Sequence, residues 1–104
     1  NIIFQKIIAS RYNYSYMPVC FKSIEKRDEI YSELIKNGIK SRKYFYPLTV
    51  HSDYFRREDI DLVKKYNLQI AADISDRILC LPLYADLGID AVDNIINIIS
   101  RLTK

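Results

Sequence analysis

The sequence has no tryptophan, two glycines, three prolines, two cysteines and one histidine among its 104 residues. So few chain breakers exclude a low-complexity or collagen-like polypeptide and leave long stretches free to form regular structure. Cys20 and Cys80 stand far apart without C-x-x-C spacing, which signals neither a zinc site nor a redox pair. They read as small buried hydrophobes of a reducing compartment, with a disulfide between neighbouring strands as the other geometric option. His51 has no second ligand at metal spacing and no Ser or Cys partner nearby, so it reads as a solvated or loop-capping residue, and no metal site is expected. No apolar run approaches the roughly 18 residues of a membrane span. The opening stretch does not read as a signal peptide either, and a cytoplasmic location without membrane contact is expected. A surplus of one charge is also missing: 16 cations are interspersed with 13 acids for a net charge of +3. Nothing resembles the clustered basic stripe of a protein that binds nucleic acid.

What is present fits one compact domain spanning residues 1–104, because 49% of the residues are hydrophobic and 28% charged. The chain opens on Asn1 and enters an apolar pattern at once, as expected of a piece cut from a longer polypeptide. Residues 1–12 place Ile2, Ile3, Phe4, Ile7 and Ile8 at spacings compatible with the end of a linking helix. Tyr16 to Phe21 follows as an extended run, apolar on both faces, with Pro18 arguing for a sheet edge or a point of entry. Ser23 is a good N-cap for a helix carrying Ile30, Tyr31, Leu34 and Ile35 on one side, stopped at Asn37 and Gly38. Lys26, Arg27, Glu29, Glu33 and Lys36 form its expected solvated face.

The stretch from Gly38 to Thr49 concentrates polar and aromatic residues. Gly38 supplies a helix stop, Ser41 to Tyr46 reads as a short strand, and Pro47 blocks its continuation. Arg42, Tyr44, Phe45 and Tyr46 are the candidate binding residues. Arg offers a planar fork for phosphates and Tyr a stacking face with a hydroxyl, while the alternative is that these aromatics simply pack. Ser52 to Leu68, rich in charge, reads as a long surface connection in which Ile60, Val63 and Tyr66 allow one or two helical turns. Gln69 to Asp76 then forms a short helix burying Ile70, Ala71 and Ile74. Arg77 to Leu83 reads as a buried strand ended by Pro82. Asp90 is the expected N-cap of a last helix whose stripe is Val92, Ile95, Ile96, Ile99 and Leu102.

The order β, α, β, long connection, β, α predicts an α+β fold: a three-stranded sheet with helices mainly on one face. The short β-α-β crossover implies two parallel strands, with the third inserted between them or added at an edge. Tyr14, Tyr16 and Tyr44 are left over for the other face, which wants a cover.

Four spaced stretches carry a resemblance. Asn13 to Val19, Arg27-Asp28, Gly38 to Thr49 and Ser75-Asp76-Arg77-Ile78-Leu79-Cys80-Leu81-Pro82-Leu83-Tyr84 together resemble the C-terminal small domain of the DegT-type (DegT/DnrJ/EryC/StrS) aminotransferases. The resemblance implies a pyridoxal-phosphate enzyme that aminates nucleotide-linked keto sugars for polysaccharide precursors, working as a homodimer. It also implies that the Schiff-base lysine and the acid facing the cofactor's ring nitrogen lie on a large domain of the same polypeptide. No cofactor binding and no catalytic residue are therefore expected in this chain. Many relatives have a His-Tyr pair where this sequence has Tyr44-Phe45, and many have Gly where Arg42 stands, so Arg42 is open to a phosphate contact or a structural ion pair. Two readings of other classes stay beside it: a free-standing α+β interaction or ligand-binding module, and an RNA-binding sheet, which lacks the Gly-aromatic spacing of that motif.

Overall fold

The computed structural model describes residues 2–55 and 60–104. Its elements in chain order are β1 (Ile3–Phe4), β2 (Met17–Cys20), α1 (Ile24–Lys36), a 3-10 turn (Thr49–His51), α2 (Leu62–Lys65), α3 (Gln69–Arg77), β3 (Ile78–Leu81) and α4 (Ile89–Thr103). This is the expected α+β fold, a three-stranded sheet in the order β1-β2-β3, antiparallel throughout. Among the described residues no helix is long and apolar enough to cross a membrane.

The membership of the sheet differs from expectation at two places. Residues 2–12 form no helix; Ile3 and Phe4 pair with Cys20 and Val19 as an edge strand. Their β-branched and aromatic side chains suit a pleated surface, and an available edge of β2 outweighs a weak helical spacing. Conversely, Ser41 to Tyr46 is not a full strand. Arg42 alone bridges to Cys80, its N–H and C=O bonding the Cys80 backbone at 3.0 and 2.8 Å. Phe45 then turns to φ +49°, which ends any extended run. β2 and Arg42 both run antiparallel to β3 and flank it, so they are parallel to each other with β3 inserted between. The crossover through α1 thus has the expected sense, and its second strand shrinks to one residue.

Pro18 sits in the central strand rather than at an edge. It is tolerated because β1 pairs only with Val19 and Cys20, while the backbone of Cys80, facing Pro18, turns both its polar groups to Arg42. No hydrogen bond is asked of Pro18 on either side. Cys20 and Cys80 are free thiols.

Residues alternate between the two faces of the sheet. Val19 and Leu79, directly paired, are buried against Ile30 and Leu34 of α1 and Ile95, Ile98 and Ile99 of α4. The inward stripe of α4 therefore includes Ile98, while Ile96 points out. Gly88 rather than Asp90 is its N-cap, and Asp90 lies in the first turn, where its carboxylate meets the positive helix end. Ser23 caps α1 as expected, accepting a hydrogen bond from the Lys26 N–H. Gly38, at φ +72°, closes α1 together with a bond from the Ile39 N–H to the Leu34 carbonyl.

Three further expectations change. Arg27 does not face water: it is fully buried, because it lies three and seven residues before Ile30 and Leu34 and so shares their side of the helix. Ile35 of the same helix is half exposed. α3 buries only Ser75 and leaves Ile70, Ala71 and Ile74 outward, since this helix turns its polar edge toward α1 and the 42–47 loop. Arg77 closes α3 instead of opening β3, with no residue between the two elements. Asp61 caps α2, the single helical turn foreseen in the surface connection; Arg56, Arg57, Glu58 and Asp59 of that connection lie outside the described residues.

Candidate functional site

The second face of the sheet carries Ile3, Pro18, Cys20, Ile78, Cys80 and Arg42 in register, away from the core cluster of α1 and α4, and α3 borders it through Ile74 and Arg77. Ile3, Tyr14, Tyr16, Phe45 and Ile74 are exposed, which leaves a broad apolar and aromatic surface open. A shallow groove on this face is lined by Ile3, Pro18, Cys20, Tyr44, Ile74 and Arg77. Arg77 fixes one end of it: the guanidinium forks onto Asp73 and donates to the Phe21 carbonyl at 2.9 Å. That carboxylate raises the Arg77 pKa above its ordinary value, so the side chain remains a cation.

Of the candidate residues, Arg42, Tyr44, Phe45 and Tyr46, the fold brings the first three to this open face. Tyr44 lies 4.8 Å from Tyr16 and 4.1 Å from Phe45 between ring centroids, in tilted contacts. A hydrogen bond with the Tyr16 hydroxyl, helped by burial, pushes the Tyr44 phenol above its ordinary value. Tyr44 therefore stays protonated at neutral pH and is a hydrogen-bond donor or a stacking surface, never a base. Arg42 is exposed, makes no ion pair among the described residues, and lies close enough to Cys80 to favour the thiolate, though burial dominates and pushes that thiol up.

Tyr46 departs from the other three and turns back toward α1. Its ring covers the Arg27 guanidinium carbon at 4.5 Å, and Lys43 Nζ lies 4.7 Å from the Tyr31 ring and 5.8 Å from that of Tyr46. Asp28 Oδ1 takes both charges, 2.7 Å from Arg27 Nε and 2.6 Å from Lys43 Nζ. On the other side of the loop the buried Ser75 hydroxyl donates to the Phe45 carbonyl at 2.7 Å. Arg27, Asp28, Lys43 and Ser75 thus hold the aromatic loop from below. The sequence reading missed this set, although the spacing of Arg27 to Ile30 and Leu34 was a usable signal for the first member.

The arrangement can bind and orient a ligand that has flat and anionic parts. Nothing in it pairs a nucleophile with a base. His51 is exposed and its N–H bonds back to the Leu48 carbonyl within its own turn. Among the described residues no cluster of three His, Cys, Asp or Glu could hold a metal ion.

The described residues thus form a small α+β domain whose sheet has one face packed by α1 and α4 and a braced aromatic loop beside the other. The chain belongs to the DegT/DnrJ/EryC1/StrS aminotransferase family, whose model matches residues 4–100. It is 40% identical over 92 residues to the dTDP-4-amino-4,6-dideoxy-D-glucose transaminase of Escherichia coli, and 28% identical over 92 residues to the protein of that name from Shigella dysenteriae. Each match covers 86% of this chain and 24% of the relative, so the chain spans about a quarter of the length of these relatives.

Pyridoxal phosphate, implied by the family, needs a lysine amine that can become neutral to form an imine, and a carboxylate facing its ring nitrogen. Lys43, the lysine of the loop, has its Nζ taken up by Asp28 at 2.6 Å and by the rings of Tyr31 and Tyr46, beneath the loop. Lys40 lies in a groove with Asn37, Pro82 and Tyr84 that contains no carboxylate. These residues do not fit the cofactor, and no chemical step is assigned to them.

Proposed function

We propose that this chain is the C-terminal small domain of a pyridoxal-phosphate-dependent aminotransferase acting on nucleotide-linked keto sugars in polysaccharide precursor synthesis. The cofactor and its lysine belong to a large domain of the same polypeptide, in a cytoplasmic homodimer. Here Arg42, Tyr44 and Phe45 line the substrate side of the pocket, and Tyr46 holds the loop against α1. Tyr44 donates a hydrogen bond or stacks, Phe45 adds an apolar ring, and Arg42 presents an unpaired guanidinium to a phosphate. The observation that carries this reading is the open aromatic face beside a loop braced by Arg27, Asp28, Lys43 and Ser75. A surface of that size and character is completed by another surface, and the relatives' greater length supports a covering domain.

The test is a chimera in which this chain replaces the matching 92-residue region of the Escherichia coli relative. Retained transamination of the sugar nucleotide in that relative's name supports the reading. A folded chimera that binds cofactor but does not turn over supports instead a free-standing interaction module. A cofactor absorbance band that appears when pyridoxal phosphate is added to this chain alone would overturn the placement of the lysine on another domain.

A further inference from the structure

The interior of the loop contains a group that its role as a brace leaves unexplained. Arg27 is fully buried, and among the described residues none of its three guanidinium nitrogens finds a hydrogen-bond acceptor. Its contact with Asp28 is one of charge alone: Oδ1 approaches Nε at 2.7 Å without hydrogen-bond alignment, and the two terminal nitrogens have no acceptor among the described residues. Asp28 follows Arg27 directly on the same helix, so its carboxylate reaches the near edge of the guanidinium and not the outer fork. Lys43 converges on that same carboxylate oxygen, which leaves two cations against one acid. An Arg interior to a domain normally has its donors filled, because unmade hydrogen bonds to a buried charge are costly. Over this guanidinium lies the ring of Tyr46, itself 42% exposed, at 4.5 Å from the guanidinium carbon.

We propose that Arg27 and Lys43 form an oxyanion site for a phosphate group, closed in this structure by the Tyr46 ring. When Tyr46 swings outward, the two terminal nitrogens of Arg27 present a fork that takes two oxygens of a tetrahedral anion, and the Lys43 ammonium takes a third. A phosphate suits this site better than a carboxylate because it offers that third oxygen. The site lies beneath the loop, apart from Arg42 on the open face, and the inference does not depend on the aminotransferase reading.

The experiment is a titration of the full chain, labelled with 15N, following the side-chain Nε–H signal of Arg27 at constant ionic strength. Sodium phosphate, thymidine diphosphate and sodium chloride are the probes. Phosphate is expected to move the signal saturably and chloride to leave it in place. Tyr46→Ala should bind phosphate about five-fold more tightly, Lys43→Ala about five-fold more weakly, and Arg27→Met should lose binding altogether. If Arg27→Met does not fold, the opposite shifts of Tyr46→Ala and Lys43→Ala carry the test. Tighter binding of thymidine diphosphate than of phosphate assigns the site to a nucleotide; equal binding assigns it to free phosphate, and both uphold it. No saturable shift in either the native chain or Tyr46→Ala, or the same shift with chloride, overturns the proposal.

Discussion

The two faces of one small sheet differ in almost everything except their backbone. On the first, Val19 and Leu79 meet the aliphatic stripes of α1 and α4, and every member of the cluster is nearly sealed from water. On the second, Ile3, Tyr16, Phe45 and Ile74 stay exposed, and order comes from polar braces: Arg77 on Asp73, Ser75 on the Phe45 carbonyl, Arg42 bridged to Cys80. The lesson concerns where a fold places its stability. One face is packed for its own sake, and the other is held in shape by polar contacts at low apolar gain.

The sharpest way to break that contrast is to truncate one side chain on each face. Leu79→Ala removes a fully buried group and should cost about 2–5 kcal/mol in urea unfolding, whereas Ile74→Ala on the open face should cost less than about 1 kcal/mol. Equal losses would show that the open face is part of the core. Next in size is the ionic brace. Asp28→Ala leaves the buried Arg27 charge without its counter-ion and should destabilise by about 2 kcal/mol, a value discounted because the carboxylate is partly exposed. Arg27→Met, which removes the charge and keeps most of the volume, should be close to neutral in the same assay. Ser75→Ala unpairs the Phe45 carbonyl and should cost about 1 kcal/mol, with faster amide exchange confined to residues 43–47.

The smallest effect is a pH dependence on the closed side. A hydrogen bond with Ser23 lowers the Glu25 carboxyl below its ordinary range. A depressed carboxyl contributes stability above its unfolded pKa of about 4.3, and that contribution is lost as pH falls through the lowered folded value. Glu25→Gln should therefore flatten the acid limb of the thermal melting curve slightly and leave the neutral region unchanged.

The elements legible in the sequence were those with strong local signals. Ser23, the helical spacing of Ile30 and Leu34, and Gly38 delimit α1, and Pro82 follows the end of β3 at Leu81. The misreadings fell where tertiary contact overrode local pattern. Ile2 to Ile8 suits a helix by spacing, yet Ile3 and Phe4 pair with a strand some 15 residues away. Ser41 to Tyr46 has strand composition, yet the positive φ of Phe45 and the pull of Ser75 on its carbonyl make a loop. The candidate residues were legible as a group because Arg and Tyr densities stand out, and three of the four share the open face. Their supports were not, since Asp28 and Ser75 look like ordinary surface residues until the chain brings α1 and α3 together.

The central claim is that the open face, with its aromatic loop, is one wall of a sugar-nucleotide site completed by other polypeptide. The most direct test is kcat/KM of the Escherichia coli chimera carrying this chain, measured with and without Tyr44→Ala. The account predicts an active chimera whose kcat/KM falls at least about ten-fold on Tyr44→Ala while its melting temperature holds, as expected for a lost binding contact on an exposed face. A folded, cofactor-loaded chimera that is inactive, or one indifferent to Tyr44→Ala, would contradict it.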